Sequence, residues 1–248
     1  MAVAVITGVS RRIGIGAAVA RRLAEAGWDL FLHSWSPHDA EQPWGADPEG
    51  AAAVVADLRT RVRVEHLVAD LADPEAPAQL VAAAEGAYGR VDALVANHAR
   101  SSVATLEELT AAELDFTYAV NTRATLLLVK EFAARCPGPG RVVLMTSGQH
   151  RGPMPGELPY IASKGALHQV TASLAAHLAP RGITVNAVDP GATDTGYADA
   201  AAHAAVLALE PMGRWGEPDD AARLIAWLAS DAGRWVTGQV LVSNGGGP

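Results

Sequence analysis

Short apolar runs rich in Val, Ile and Leu alternate with longer stretches of helical periodicity along the whole chain. VAVITG (3–8) is a strand-like run ended by a glycine. GAAVARRLAEAG (16–27) has a helical pattern with Gly27 at its C-cap position. DLFLHS (29–34), VRVEHLVAD (62–70), VDALVAN (91–97), RVVLMTS (141–147), ITVNAVDPG (183–191) and GQVLVSN (238–244) read as six further strands. Helices are expected near 50–60 and 75–87, over 107–135, over 159–179 and over 218–230. Strands that are apolar throughout, rather than alternating, are buried on both faces. Their repetition predicts a parallel sheet with helices on both sides. No linker or short internal repeat divides the chain, so a single domain over 1–248 is expected. Two segments break the pattern: 35–50, with three Pro and two Trp, and the Ala-rich 192–212. Irregular segments this long in a compact domain are usually functional or mobile.

Composition narrows the classes. The 248 residues are enough for one sizeable core, and half are hydrophobic, which excludes disorder. A net charge of −8 argues against nucleic acid as a partner. No apolar stretch approaches the roughly 18–20 residues of a membrane span. MAVAVITGVSRR lacks a basic region ahead of its apolar run and reads as a strand, not a signal peptide. The lone Cys136 suits a reducing compartment, so a cytoplasmic protein is expected.

The first strand runs into TGVSRRIGIG (7–16), where Gly8, Gly14 and Gly16 stand between strand and helix. Glycines there let the backbone approach a pyrophosphate at a helix N-terminus. An acidic residue ending the second strand would read the ribose hydroxyl of NAD; His33, Ser34 and Trp35 stand there instead. Arg11 and Arg12 suit a 2′-phosphate, which favours NADP(H) over NAD(H). Asp70, after the third strand, is placed to bond an adenine amino group or to cap the next helix, though Asp73 before Pro74 fits the cap better.

Only Lys130 and Lys164 among the nineteen basic residues are Lys. Lys164 lies four residues after Tyr160, a spacing expected roughly 0.03 times by chance in this composition. On a helix the two share a face. A neighbouring ammonium lowers a phenol's pKa from about 10, making it usable as an acid near neutrality. Ser147 ends the fifth strand, thirteen residues before Tyr160, where a hydroxyl can polarise a carbonyl oxygen. Asn121 sits inside an apolar helix, where Asn is a poor choice; it either bends the helix or holds a water that relays protons to Lys164.

These residues together resemble the short-chain dehydrogenase/reductase family, in its single-domain oxidoreductase branch, over essentially the whole chain. The family's Tyr-x-x-x-Lys, upstream Ser and helix Asn correspond to Tyr160, Lys164, Ser147 and Asn121. PGATDT (190–195), GRWGEP (213–218) and TGQVLVSNGG (237–246) match its later motifs. Two departures stand out. The glycine loop carries a two-residue insertion that adds Arg11 and Arg12, and the usual NNAG reads ANHA (96–99), with His98 and Ala99 replacing Ala and Gly. The resemblance implies a Rossmann-type, doubly wound α/β fold and reversible hydride transfer between a nicotinamide cofactor and a carbonyl or alcohol. It implies that Tyr160 protonates the oxygen, Ser147 hydrogen-bonds it, Lys164 binds ribose and depresses the Tyr160 pKa, and Asn121 anchors the water chain. It further assigns Gly8, Ser10, Arg11, Arg12, Gly14, Ile15, Gly16, Ser34, Asp70, Leu71, Asn97, His98, Pro190, Gly191, Thr193 and Thr195 to the cofactor. Gln149, His150, Met154 and Tyr197 are expected to line the substrate pocket, and no metal site is expected. A catalytically silent dinucleotide-binding or scaffold protein on the same fold is the alternative. The resemblance also implies a homo-oligomer, a tetramer, pairing through the 107–135 and 159–179 helices; Leu167, Val170, Leu174 and Leu178 make the latter apolar on more than one face. Lys164 is expected to face a solvent-accessible cleft, so that Lys164→Arg keeps the fold and loses turnover.

Overall fold

The computed structural model describes residues 1–247. Seven parallel strands form one sheet: β1 (Val3–Ile6), β2 (Asp29–Ser34), β3 (Val64–Val68), β4 (Ala93–Ala96), β5 (Arg141–Met145), β6 (Thr184–Asp189) and β7 (Val240–Val242). Their order is β3-β2-β1-β4-β5-β6-β7. The helices are α1 (Ile15–Glu25), α2 (Pro37–Glu41), α3 (Gly50–Leu58), α4 (Ala76–Tyr88), α5 (Ala111–Tyr118), α6 (Ala124–Arg135), α7 (Leu158–Leu178), α8 (Ala200–Leu207) and α9 (Pro218–Ala229). This is the doubly wound α/β arrangement expected.

The strands are apolar throughout because each sheet face is covered. Ala4 and Ile6 of β1 pack with α1, α3 and α9, whereas Val5 between them packs with α4, α6 and α7. Successive strand residues point to opposite faces, so a strand between two helix layers is covered on both sides, and its buried polar residues, such as His33, Asn186 and Asp189, are hydrogen-bonded. Only β3, at the edge, mixes buried and exposed positions. It is shorter than the 62–70 expected, and β7 is shorter than 238–244, because the flanking residues leave the sheet ladder.

The long helix expected over 107–135 begins at Ala111, where the Thr110 hydroxyl accepts the Glu113 N–H. It is broken by one wide π-turn, Ala119–Arg123, with Asn121 at its centre. The 35–50 segment contains the short α2, and 192–212 contains α8. Strand progression reverses between β1 and β4, and the crevice outside such a switch point is where this architecture takes ligands. Among the described residues no helix is long and apolar enough to cross a membrane.

Candidate active site

Gly8 follows β1 with φ of 74°, and Gly14 is the N-cap residue of α1. A Cβ on Gly8 would come within 2.7 Å of the His98 Cα, and one on Gly16 within 2.6 Å of the Gly8 carbonyl oxygen. The backbone therefore packs closer here than any side chain permits. The N-terminus of α1 has no side-chain cap, so its N–H groups remain available to an anion.

Two histidines brace this loop. His33 Nε2 lies 2.9 Å from the Ala69 carbonyl oxygen, which can only accept, so Nε2 carries the proton and Nδ1 accepts the Gly8 N–H at 3.3 Å. His98 is arranged alike: Nε2 donates to the Val120 carbonyl at 2.9 Å, and Nδ1 accepts from Thr7 Oγ1 at 2.7 Å. The same Thr7 oxygen accepts the Asn97 and His98 N–H groups. Asn97 Nδ2 donates to the carbonyls of Thr7 and Gly8. Both rings must be neutral to make these contacts, and burial lowers the His33 pKa to about 4 and that of His98 to about 3.

Beyond the loop lies a cavity of about 420 Å³, within the range of small-molecule sites. Gly8, Ser10, Arg11, Gly14, Ile15, Asp70, Leu71, Asn97, His98, Thr195 and Tyr197, all candidate site residues from the sequence, line it. Trp35, Asp39, Glu41 and Trp44 of the irregular 35–50 segment also form its walls, as do Arg100 and Phe116, which no motif singled out. Ser10 Oγ accepts the Trp35 N–H and donates to the Trp35 carbonyl, holding the end of β2 to the loop. The Trp44 indole donates to Asp39 and meets Tyr197 edge-on.

The two loop arginines part company. Arg12 turns outward to Asp47 and Glu49 and is absent from the cavity wall, correcting its assignment to the cofactor. Its guanidinium holds the Asp47 carboxyl well below the usual range. Arg11 faces the cavity, and its Nε is buried without a partner. An orphaned donor beside an uncapped helix N-terminus and a side-chain-free loop fits an anionic nucleotide, so the residues present suit a dinucleotide.

Other expectations are corrected too. The Ser34 hydroxyl bonds His66 Nε2 at 2.8 Å, away from the cavity, because alternation along β2 turns His33 inward instead. The Thr193 hydroxyl is buried on the Pro190 and Gly191 carbonyls of its own loop. Pro190 and Gly191 do not line the cavity either. Asp70 Oδ1 accepts the Ala72 N–H, a local turn, while its residue remains in the wall.

Ser147, Tyr160 and Lys164 gather past the His98 end of this cavity rather than within its lining; the Lys164 charge is near enough to disfavour protonation of His98. Ser147 stands two residues beyond β5, and Tyr160 and Lys164 are in the first two turns of α7, opened by Pro159. Burial raises the Tyr160 pKa, and a hydrogen bond with Ser147 offsets part of that rise. Lys164 is 2% exposed, its Nζ donates to the Met145 carbonyl at 2.9 Å, and burial lowers its pKa to about 8. One expectation falls: Lys164 does not face a solvent-accessible cleft. At Tyr160 the effect of burial dominates, and the net direction of the pKa is upward. The ammonium is aimed at the end of β5 and stands 5.7 Å from the Tyr160 ring centroid.

Asn121 is fully buried. Its Oδ1 accepts the Arg100 N–H at 2.7 Å, and Nδ2 donates to the Arg100 carbonyl and to Ser163 Oγ. Both amide hydrogens are thus spent on protein, so the side chain's work is to tie the 100 loop to α7. Of the substrate-pocket set only Tyr197 lines the cavity. Gln149 Nε2 donates to Thr146 Oγ1 and leaves its Oε1 buried and unpartnered. His150 packs its ring on His168. The Met154 carbonyl accepts the Glu157 N–H. Among the described residues no His/Cys/Asp/Glu group is arranged to hold a metal ion.

Comparison with known proteins agrees with this geometry. A family model described as enoyl-(acyl carrier protein) reductase matches residues 8–247. An uncharacterized oxidoreductase of Bacillus subtilis is 42% identical over 248 residues, covering 98% of this chain and 96% of its own. A short-chain dehydrogenase of Burkholderia cenocepacia in complex with NADP superposes with a TM-score of 0.88 at 37% identity, covering 98% of this chain and 96% of its own. A blue fluorescent protein from a metagenomic library, in complex with NADPH, gives 0.89 at 35% identity, with 99% and 97% covered. Fold, motif order and relatives agree: the chain belongs to the short-chain dehydrogenase/reductase family and is an NAD(P)-dependent oxidoreductase.

Proposed function

We propose that this protein is an NADP(H)-dependent oxidoreductase that interconverts a carbonyl and a secondary alcohol, with Tyr160 moving the proton. The observation that carries the reading is the meeting of three groups just past the nucleotide cavity: the Tyr160 phenol, the Ser147 hydroxyl that acts on it, and the buried Lys164 ammonium 5.7 Å from the Tyr160 ring centroid.

The glycine loop and the N-terminus of α1 would hold the pyrophosphate, Arg11 a 2′-phosphate, Asp70 and Leu71 the adenine, and Lys164 the nicotinamide ribose. The cofactor supplies the hydride. Tyr160 gives its phenolic proton to the substrate oxygen in reduction and takes it back in oxidation. Ser147 donates a hydrogen bond to that oxygen as negative charge develops, where it stabilises the transition state more than the ground state. Burial keeps the phenol protonated but weakens it as an acid, and the nearby ammonium is placed to stabilise the phenolate left behind. Asn121 positions the loop that carries Arg100 and, through Ser163, the first turns of α7.

NADP(H) is favoured over NAD(H) by the unpartnered Arg11 Nε in the wall and the lack of an acid at the end of β2. The relatives bound to NADP and NADPH support the same choice. Turnover of diacetyl, ethyl acetoacetate and benzil with NADPH and with NADH tests the reading, with crotonyl thioester as the C=C control. Reduction of a ketone faster with NADPH is expected; reduction of the enoyl thioester alone would overturn the carbonyl reading, and a preference for NADH would overturn the cofactor reading.

The homo-oligomer, a tetramer, is supported by the outward apolar side chains of Leu114, Phe116 and Tyr118 on α5. On α7 the support is weaker than the sequence suggested: Leu167 and Leu178 are buried within the chain.

A further inference from the structure

Asp189, at the end of β6, is an acid with no solvent exposure. An unpaired buried carboxylate is costly, and this one is compensated. Arg151 Nε donates to Asp189 Oδ2 at 3.1 Å, a second guanidinium nitrogen lies 3.1 Å from the same oxygen, and the Gly191 N–H donates to Oδ1 at 3.0 Å. The remaining arm of Arg151 donates to the Gly247 carbonyl at 2.7 Å, itself held by Asn244 Nδ2. One guanidinium thus joins the turn after β5, the end of β6 and the C-terminal segment.

That turn carries Ser147. Gly148–His150 is a single 3₁₀ turn closed by the Arg151 N–H on the Gly148 carbonyl. Gly148 lets the ion pair through: a Cβ there would lie 3.0 Å from an Arg151 nitrogen and 3.7 Å from Asp189 Oδ2. The pair is therefore packed directly beneath the residue that follows Ser147. It is also close to the proton donor. The groups that act on the Tyr160 phenol come from several elements: the titratable Glu157 at the start of α7, Tyr197 from the 192–199 loop and Asp189 from β6, and the neutral Ser147 hydroxyl after β5. Lys164 on α7 is the adjacent cation.

We propose that Arg151 is a positioning residue for the reaction: its ion pair with Asp189 fixes the turn that holds Ser147 and shields Tyr160 from a buried negative charge. This rests on Tyr160 being the proton carrier. It also gives the pair two separable effects. Geometry sets turnover, because misplacing a reacting group by about 1 Å can cost on the order of 10²-fold. Charge sets the pH dependence, because an uncompensated anion raises a phenol's pKa and an uncompensated cation lowers it.

The test follows alcohol oxidation against pH, with NADP⁺ and the alcohol formed from whichever of the three ketones is turned over fastest. Oxidation needs the phenolate, so the rate rises through an apparent pKa that belongs to the Tyr160–Lys164 pair. Arg151→Met is expected to move this limb about 1 pH unit to the alkaline side, and Asp189→Asn about 1 unit to the acid side. The double variant should return it close to wild type while turnover stays at least tenfold low. Arg151→Lys, which keeps the charge without the fork, should hold the limb in place and still lose turnover. If Arg151→Met does not fold, Asp189→Asn and Arg151→Lys carry the comparison alone. Shifts of opposite sign support the proposal; a limb that stays put in Asp189→Asn, or moves the same way in both single variants, overturns it. Tyr160→Phe is measured alongside: if it remains active, the proton-carrier reading fails, whereas Tyr160-dependent activity with an unmoved limb removes only the role of Arg151.

Discussion

Lys164 should trade stability for activity, and two substitutions divide the trade. The side chain is among the largest fully buried ones, and its ammonium has one protein partner, the Met145 carbonyl. Burial lowers its pKa from 10.5 to about 8, a difference that corresponds to roughly 3 kcal/mol against the charged form in the fold. Lys164→Met removes that cost and leaves the Met145 carbonyl without its partner, a loss of about 1–3 kcal/mol. The net expectation is a protein at least as stable as wild type, by up to about 2 kcal/mol, with no measurable turnover. Lys164→Arg keeps a charge that cannot be lost near neutrality and brings five N–H donors to a site with one acceptor. Overpacking adds about 1–3 kcal/mol, so a destabilisation on the order of 3–5 kcal/mol is expected together with lost turnover. Urea unfolding of the three proteins, read beside turnover at neutral pH, checks both. A Lys164→Met protein less stable than wild type by more than about 2 kcal/mol would refute the reasoning, as would a Lys164→Arg protein of normal stability.

Three further outcomes follow from the same structure. The unfolded chain binds protons at His33 and His98 with pKa near 6.5, and the folded chain only near about 4 and about 3. Stability therefore falls as pH drops from 6.5 toward 4, by a few kcal/mol in order of magnitude. His98→Ala should flatten that limb in unfolding curves taken at pH 4.5 to 7; an unchanged slope would contradict it. Arg11→Ala should weaken NADPH binding, measured by nucleotide fluorescence, about tenfold or more while leaving NADH little changed, and Arg12→Ala should affect neither; equal losses for both nucleotides would contradict the 2′-phosphate reading. Light scattering at micromolar concentration should report a tetramer that Leu114→Glu, on the exposed face of α5 and outside the cavity wall, weakens; a monomeric wild type would refute the oligomer.

The strands were legible because their burial on both faces leaves an uninterrupted apolar signature, and Gly8 and Gly16 because only glycine tolerates contacts as close as those at the switch point. Tyr160, Lys164 and Ser147 were legible as a spacing on one helix and one strand end. What the spacing could not convey was direction. Arg11 and Arg12 are neighbours, yet Asp47 and Glu49, thirty-five and thirty-seven residues on, take Arg12 away from the cavity. Lys164 looked solvent-facing until β5 was seen to supply the Met145 carbonyl. Asn121 left two readings open, a bent helix or a held water; it stands at the centre of the π-turn, and its partners, Arg100 and Ser163, come from separate segments that no local pattern reveals. The walls supplied by Trp35, Trp44 and Phe116 were hidden for the same reason.

Tyr160→Phe tests the central claim most directly. It removes one oxygen from a half-buried ring, so the fold and NADPH binding should persist. Ketone reduction by wild type and variant, measured from pH 6 to 9 with NADPH binding confirmed for both, gives the comparison. The account predicts a loss of at least about 10²-fold in turnover, in line with general-acid catalysis, at every pH in the range. A variant that binds NADPH and reduces the ketone at near wild-type rate would contradict it.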